Sequence, residues 1–498
     1  MKGKNIMKKL VSIILALAMI LALNIPAFAA NTSVTINAAG DRDYAAYQLL
    51  NVTVSEIKGE HEDCDGTNHV KSCYNYAYTI NEDFLDILSA ATSKANETDI
   101  IEAIRNAADL QTLANSIYRD IQAANLDAAK YVKFNGPTTD LEQGYWLIAD
   151  VTEGLTNNAN SLVMLDTVGQ NEVEINSKTS LPTITKKVLD KDDTAGTEGW
   201  VDSADHDIND VVSFKLTATL PNNLSSYEDY TLIFKDTLST AFTNVDDVTV
   251  ILKNGNNEKV LADGFDTAVT ANGVTVTFAN IKAINNVSAT SEVIVTYTAK
   301  FNGTVVTGNA GNLNTVALKF SNDPYGDSTG EISDKVKVFT YKVVINKVDE
   351  NGAALEGAGF TLYKKVAGST EPDEFEVVAT INNTTTFEWT GLDAGTYKLV
   401  ESTVPAGYNK MTDKEFVISA THDEDSEDPQ LTALDGGVLA TGDVATGAIK
   451  TDITNFTGTV LPETGAMGTM WLILGGAMLV VLAGVFMITR KKMSIYED

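Results

Sequence analysis

The sequence is short of cysteine, histidine and positive charge, and each shortage removes a class of protein. Two cysteines, Cys64 and Cys73, cannot build a disulfide scaffold or a four-thiolate zinc site. Four histidines in 498 residues give no basis for a rich metal centre. The 36 Lys+Arg stand against 67 Asp+Glu, a net charge of −31. Nucleic acid, which is held by cations on phosphate, is therefore disfavoured as a partner. So is docking of the folded part on anionic lipid. No Ser-His-Asp spacing or Gly-rich phosphate loop stands out, so an enzyme acting on an external substrate lacks a motif. No cofactor is expected.

What is present is a long chain that can fold. Hydrophobic residues make up 44% of it, and its length has room for about three or four domains. Both ends read as addresses. Lys2, Lys4, Lys8 and Lys9 precede a charge-free apolar run over residues 10–23, and Ala27-Phe28-Ala29 follows. This is the pattern of a secretory signal peptide over residues 1–29. The other end reads Leu461-Pro462-Glu463-Thr464-Gly465, then 24 uncharged residues from Ala466 to Thr489, then Arg490-Lys491-Lys492. That apolar run is long enough to span a bilayer, and positive charge after it stays cytoplasmic. The order of pentapeptide, span and basic stop resembles the cell-wall sorting signal of Gram-positive surface proteins. The resemblance implies that a sortase cysteine attacks the Thr464–Gly465 peptide bond and passes Thr464 to an amine. Removing both ends takes away seven basic and two acidic residues and leaves 29 against 65, net −36. A surface this acidic repels its own copies.

From about residue 180 onward the chain reads as short alternating strands separated by Gly, Asn and Asp clusters. Val211-Val212-Ser213-Phe214-Lys215-Leu216 and Val293-Ile294-Val295-Thr296-Tyr297-Thr298 are examples. The pattern predicts antiparallel immunoglobulin-like β-sandwiches in tandem, a mainly β fold. The first module differs. Residues 99–129 carry Ile100, Ile101, Ile104, Leu110, Leu113, Ile117 and Ile121 at helical spacing, which predicts one or two amphipathic helices inserted in a sandwich. Composition shifts divide the chain into a first domain (30–178), a second (179–338), a third (339–457) and the sorting signal (458–498).

The third module opens with Val343, Ile345 and Lys347 on one strand face. Later Tyr397, Leu399 and Glu401 share a face, and the module closes with Ile453 and Asn455 together. A lysine, a glutamate and an asparagine thus point where apolar residues point. An unpaired buried charge is costly, and burial pushes a lysine pKa down and a glutamate pKa up. A neutral amine is a nucleophile, and a protonated carboxyl can polarise an amide and move protons. Lys347 is then placed to attack the Asn455 carboxamide and release ammonia. An ordinary buried salt bridge is the alternative. The second module repeats the pattern with Lys186 as the inward lysine, Asp236 as the acid and Asn314 as the amide. Glu228 is the second choice of acid and Asn312 the second choice of asparagine. Its last strand is expected at residues 312–318.

The Lys347-Val348-Asp349 strand, the box Glu401-Ser402-Thr403-Val404-Pro405-Ala406-Gly407-Tyr408 and the terminal Ile453-Thr454-Asn455 resemble the CnaB-type module of Gram-positive pilins. In that family these positions are the bond-forming lysine, the catalytic glutamate and the bonded asparagine. Ser402 and Val404 stand where Thr and Ala are more usual. The whole chain resembles the major, or backbone, pilin of sortase-assembled pili, with CnaA/CnaB-type domains. The resemblance implies a wall-anchored, covalent fibre with sortases, identical subunits, minor pilins and peptidoglycan as partners. It also implies intramolecular Lys186–Asn314 and Lys347–Asn455 bonds and a linkage lysine near the end of the first domain. Lys178 has that position, without the usual tyrosine-proline-lysine surroundings, and Lys187, exposed by strand alternation, is the substitute. A monomeric adhesin with the same sorting signal is the competing expectation. Cys64 and Cys73, with His61 and His69 nearby, admit free thiols or a zinc site, but in an exported chain a disulfide is expected. The acidic run over residues 423–428 lacks the glycine of an EF-hand loop and reads as a solvated loop, not a calcium site.

Overall fold

The computed structural model describes residues 33–458, apart from short internal stretches at 39, 57–73, 137, 156–158, 171, 176–179, 193–196, 367–370 and 372–373. Three β units with separate cores follow one another along the chain. The first packs a three-stranded sheet (Thr138–Glu142, Ser33–Asn37, Glu172–Glu174) beside a five-stranded one centred on Asp43–Glu56 and Gly144–Asp150. Between them in sequence lie three helices, Leu85–Thr92, Glu97–Arg105 and Leu110–Ala124; the last two occupy the stretch where the spacing predicted one or two, and the first precedes it. Caps set the breaks between them. Asn96 accepts from the Asp99 amide, Asp109 from those of Gln111 and Thr112, and Ser93 and Asn125 end their helices in the left-handed region. Ile100, Ile104, Ile117 and Ile121 face the core, as the period requires.

The second unit is a sandwich of two six-stranded sheets. One runs Thr197–Val201, Ile184–Asp192, Val211–Thr219, Ser291–Phe301, Phe242–Asn254, Asn257–Val260. The other runs Ser203–Asp205, Thr329–Phe339, Asn312–Ser321, Leu232–Leu238, Gly273–Phe278, Asp266–Thr270. The strand Asn312–Ser321 is therefore not the last of the unit. Thr329–Phe339 follows it, pairs with it along ten residues and leads into the third unit. Turn residues at 322–327 hid this strand, because its alternation is broken by Asp334 and Lys335.

The third unit sets a four-stranded sheet (Thr386–Leu392, Tyr341–Val348, Ala448–Thr454, Gly442–Asp443) against a five-stranded one (Phe375–Asn382, Gly359–Lys365, Gly395–Thr403, Lys414–His422, Leu431–Asp435). Its first and last long strands, Tyr341–Val348 and Ala448–Thr454, are parallel neighbours, with Lys347 opposite Ile453. The core changes hands within one residue: Val338 packs in the second unit and Phe339 in the third.

The joint between the second and third units is close. Gly308 and Gly447, both at positive φ, meet backbone to backbone, and a Cβ on Gly447 would lie 2.3 Å from the Gly308 amide nitrogen. The acidic run takes part. The Asp202 amide donates to Glu424 O at 2.8 Å, Ser426 N donates to the Asp202 carboxylate, and Lys335 pairs with Asp428 at 2.7 Å. Residues 423–428 thus form a docking loop rather than a merely solvated one.

Candidate functional site

Alternation on four strands brings the second unit's polar set into its core. Lys186 is 0% exposed beside the stacked rings of Phe214 and Tyr297, with its Nζ 5.2 and 5.5 Å from their ring centroids. Leu232, Phe234 and Asp236 share the inward face of one strand, and Asn314, Val316 and Leu318 that of its neighbour. Lys186 Nζ donates to Asp236 Oδ2 and, at 3.2 Å, to Tyr297 Oη. Asn314 Nδ2 donates to the same Tyr297 Oη at 2.6 Å. Asp236 Oδ1 and Asn314 Oδ1 are buried and have no hydrogen-bond partner among the described residues. The lysine comes from one sheet and the asparagine and acid from the other, so the three meet across the interior of the sandwich. Burial lowers the Lys186 pKa, against the opposing pull of Asp236. Burial raises that of Asp236, against the pull of Lys186. Both shifts favour the neutral amine and the neutral carboxyl.

Asn312 and Glu228 are ruled out by what they already hold. Asn312 is saturated: its Nδ2 donates to Val306 O and Val338 O, and its Oδ1 accepts from Val306 N. It pins a turn. Glu228 is exposed and pairs with Arg119 of the first unit at 3.1 Å.

The third unit assembles Lys347, Glu401 and Asn455 differently. All three are at most 1% exposed. Lys347 Nζ donates to Ile453 O at 3.0 Å and Val348 O at 3.2 Å. Asn455 Nδ2 donates to Glu401 Oε1 at 2.6 Å, and Met411 N holds Oε2 at 2.8 Å. Asn455 Oδ1 has no partner among the described residues. Here the lysine lies on Tyr341–Val348, the asparagine directly follows its parallel neighbour Ala448–Thr454, and the acid reaches the asparagine from the sheet opposite. Burial lowers the Lys347 pKa, with the Glu401 charge opposing it.

Chemically, both sets present an amine, an amide carbon and a carboxyl shut away from water. A buried ion pair alone is weak evidence of stabilisation, and neither set is simply paired, because an amide accompanies each. Tyr297 was not read from the sequence as a site residue. Its strand alternation, Val293-Val295-Tyr297 inward, was visible and would have placed the hydroxyl in the core.

Lys187 is half-buried rather than exposed, paired with Asp202 at 2.7 Å and 3.8 Å from Asp425. Strand alternation could not foresee the docking loop that covers it. Lys178, Cys64, Cys73 and the pentapeptide Leu461 to Gly465 lie outside the described residues, as does the apolar run Ala466–Thr489. Among the described residues no helix is long and apolar enough to cross a membrane, and no group of three or more His, Cys, Asp or Glu residues is arranged to hold a metal. In the first unit the buried charge pair is Arg42 with Asp150, at 2.6 Å. A guanidinium in that place offers no lysine-type nucleophile.

Residues 341–431 match the prealbumin-like fold domain family SpaA, and residues 457–494 match the LPXTG cell wall anchor motif. With the tandem sandwiches, these make the chain a mainly β, cell-wall-anchored surface protein of a Gram-positive bacterium. More particularly, it is a homologue of the trypsin-resistant surface T6 protein of Streptococcus pyogenes serotype M6, 27% identical over 288 residues. That alignment takes 53% of this chain and 49% of the relative, so the chain spans about half the length of the curated relative it matches. The T6 backbone pilin of S. pyogenes serotype M6, described as a modular three-domain structure, shares the fold with a TM-score of 0.53, 17% identity, 86% of this chain and 98% of that one. The full-length major pilin SpaD of Corynebacterium diphtheriae aligns over 86% of this chain and 98% of its own, at 14% identity and a TM-score of 0.44.

Proposed function

We propose that the chain is the repeating subunit of a covalently polymerised pilus. The observation that carries this reading is the pair of sealed Lys–carboxyl–Asn sets, Lys186/Asp236/Asn314 and Lys347/Glu401/Asn455, in consecutive sandwiches. Each closes once as an isopeptide bond, with Asp236 and Glu401 as the proton-moving acids. The successive cores support a domain division at 179 and 339. A sortase cleaves after Thr464 and joins it to Lys178 of the next subunit, and the last subunit passes to peptidoglycan. The joint is head to tail, which gives an open filament rather than a closed ring. It also supplies a permanent link between subunits of charge −36. Lys186 is buried and Lys187 is held by Asp202, which leaves Lys178 the better acceptor of the three.

The test is Lys178→Ala in the native host, followed by electrophoresis of a cell-wall extract. Loss of the high-molecular-weight ladder, with monomer still on the wall, supports the assignment. An unchanged ladder with the variant overturns Lys178. A wild-type extract with no ladder overturns polymerisation and leaves a monomeric wall-anchored adhesin.

A further inference from the structure

Tyr297 touches both nitrogen atoms of the second unit's reacting pair. Its Oη accepts from Lys186 Nζ at 3.2 Å and from Asn314 Nδ2 at 2.6 Å. The ring is 1% exposed and stacked on Phe214 with centroids 5.2 Å apart, so packing holds the hydroxyl between the two groups. Burial and the nearby Asp236 carboxylate push the phenol pKa well above its usual value, so the hydroxyl keeps its proton at neutral pH.

Amide formation requires a proton to travel. Lys186 Nζ bonds to Asn314 Cγ and the Cγ–Nδ2 bond breaks. Nζ must lose a proton, and Nδ2 must gain one before it leaves as ammonia. We propose that Tyr297 is a catalytic residue of this reaction, carrying the proton from Nζ to Nδ2; the proposal rests on the isopeptide reading above. Asp236 first takes one proton from the Lys186 ammonium, leaving a neutral amine and a neutral carboxyl. Nζ then adds to Cγ. Tyr297 gives its hydroxyl proton to Nδ2 and receives one from Nζ, so the phenol is restored as ammonia departs. In the third unit Glu401 Oε1 itself touches the leaving nitrogen at 2.6 Å, so the acid fills that place without a relay.

The experiment follows both bonds in one molecule. Chain 30–464 is made by cell-free synthesis, quenched in denaturing acid at intervals and digested. The cross-linked peptides of each unit are then quantified by mass spectrometry. Tyr297→Phe is expected to slow the Lys186–Asn314 bond by about 100-fold or more, the ordinary scale of a positioned proton-transfer group, while the Lys347–Asn455 bond keeps its rate. A second variant carries 3-fluorotyrosine at 297, which preserves shape and packing but makes the phenol more acidic. It is expected to shift the pH profile of the second unit's bond alone. If the phenylalanine variant bonds at the wild-type rate, the proposal is overturned. If that variant fails to fold, an unmoved fluorotyrosine profile overturns it instead. A wild-type chain with no Lys186–Asn314 bond removes the isopeptide reading of this unit and the relay with it, an outcome distinct from a bond that forms without Tyr297.

Discussion

The second and third units use the same three chemical groups in two different geometries. In the second, lysine and asparagine face each other from opposite sheets, and the acid sits one strand from the asparagine. In the third, the lysine lies on the entrance strand and the asparagine just beyond the end of its parallel neighbour at the unit's exit, and the acid faces them from across the core. A bond in the second unit would rivet two sheets together. A bond in the third would join the strands through which tension enters and leaves. The proposed reaction would thus need burial and contact rather than one strand arrangement, while its mechanical result would depend on where the strands stand in the chain. In the proposed fibre, force passes from Lys178 to Thr464, so the first unit hangs beside its path.

The largest expected effect is mechanical and comes from breaking the third unit's bond. Glu401→Ala should leave Lys347 and Asn455 unjoined. Stretching between residues 178 and 458 should then release roughly 110 residues, about 370 Å at full extension, where the intact unit releases none. The same variant should lose about 4–5 kcal/mol of stability in the entropic account of a loop this long, read by denaturant unfolding. An intact third unit that unravels fully under force would contradict the role assigned to its bond.

A smaller effect sharpens the contrast. Asn314 is not on the second unit's last strand, so Thr329–Phe339 lies outside the closed loop. Under force the wild-type second unit should peel back to Asn314 and stop, a step of roughly 80 Å for about 25 residues. Single-molecule stretching of Glu401→Ala and wild-type chains in parallel separates the two steps. A second unit that releases nothing would show that the docking loop, not the bond, sets its limit.

The smallest effect is on the joint between the units. Burial alone would lower the His422 pKa, but its hydrogen bond and charge interaction with Asp205 outweigh this and raise it. Asp190 is raised to about 6, by burial first and then by Asp205. A histidine raised on folding contributes fully below its unfolded value, and that contribution fades as pH rises through the folded value. The raised carboxyl has the same sign, its contribution fading between its ordinary range and about 6. The joint should therefore be tighter at pH 5 than at pH 8. Amide exchange at Asp202, which donates to Glu424 O across the joint, measures this after correction for intrinsic rates. Slower corrected exchange at the higher pH would reverse the sign.

Much of both polar sets was legible, because period-two alternation needs only neighbouring residues. Lys347 follows Val343 and Ile345, Glu401 follows Tyr397 and Leu399, and each is buried with its companions. What stayed hidden depended on contacts distant in sequence. Lys187 looked exposed until the loop at 423–428 docked over it. Asn312 and Asn314 were separated by their partners rather than by their spacing. Arg42 and Asp150 meet across 108 residues, which no local pattern announces. The apolar stripe over residues 99–129 found the last two helices, whose break is set by the cap at Asp109, but the stripe did not reach the first, Leu85–Thr92.

The central claim is that two lysines have condensed with two asparagines inside this chain. Each condensation expels ammonia, so each lowers the mass by about 17 Da. The direct measurement is the intact mass of chain 30–464, reduced and denatured, beside Glu401→Ala and an Asp236→Ala, Glu401→Ala double variant. The account predicts a wild type about 34 Da below its sequence mass, about 17 Da below for the single variant and no deficit for the double. A wild-type mass equal to the sequence mass would contradict it.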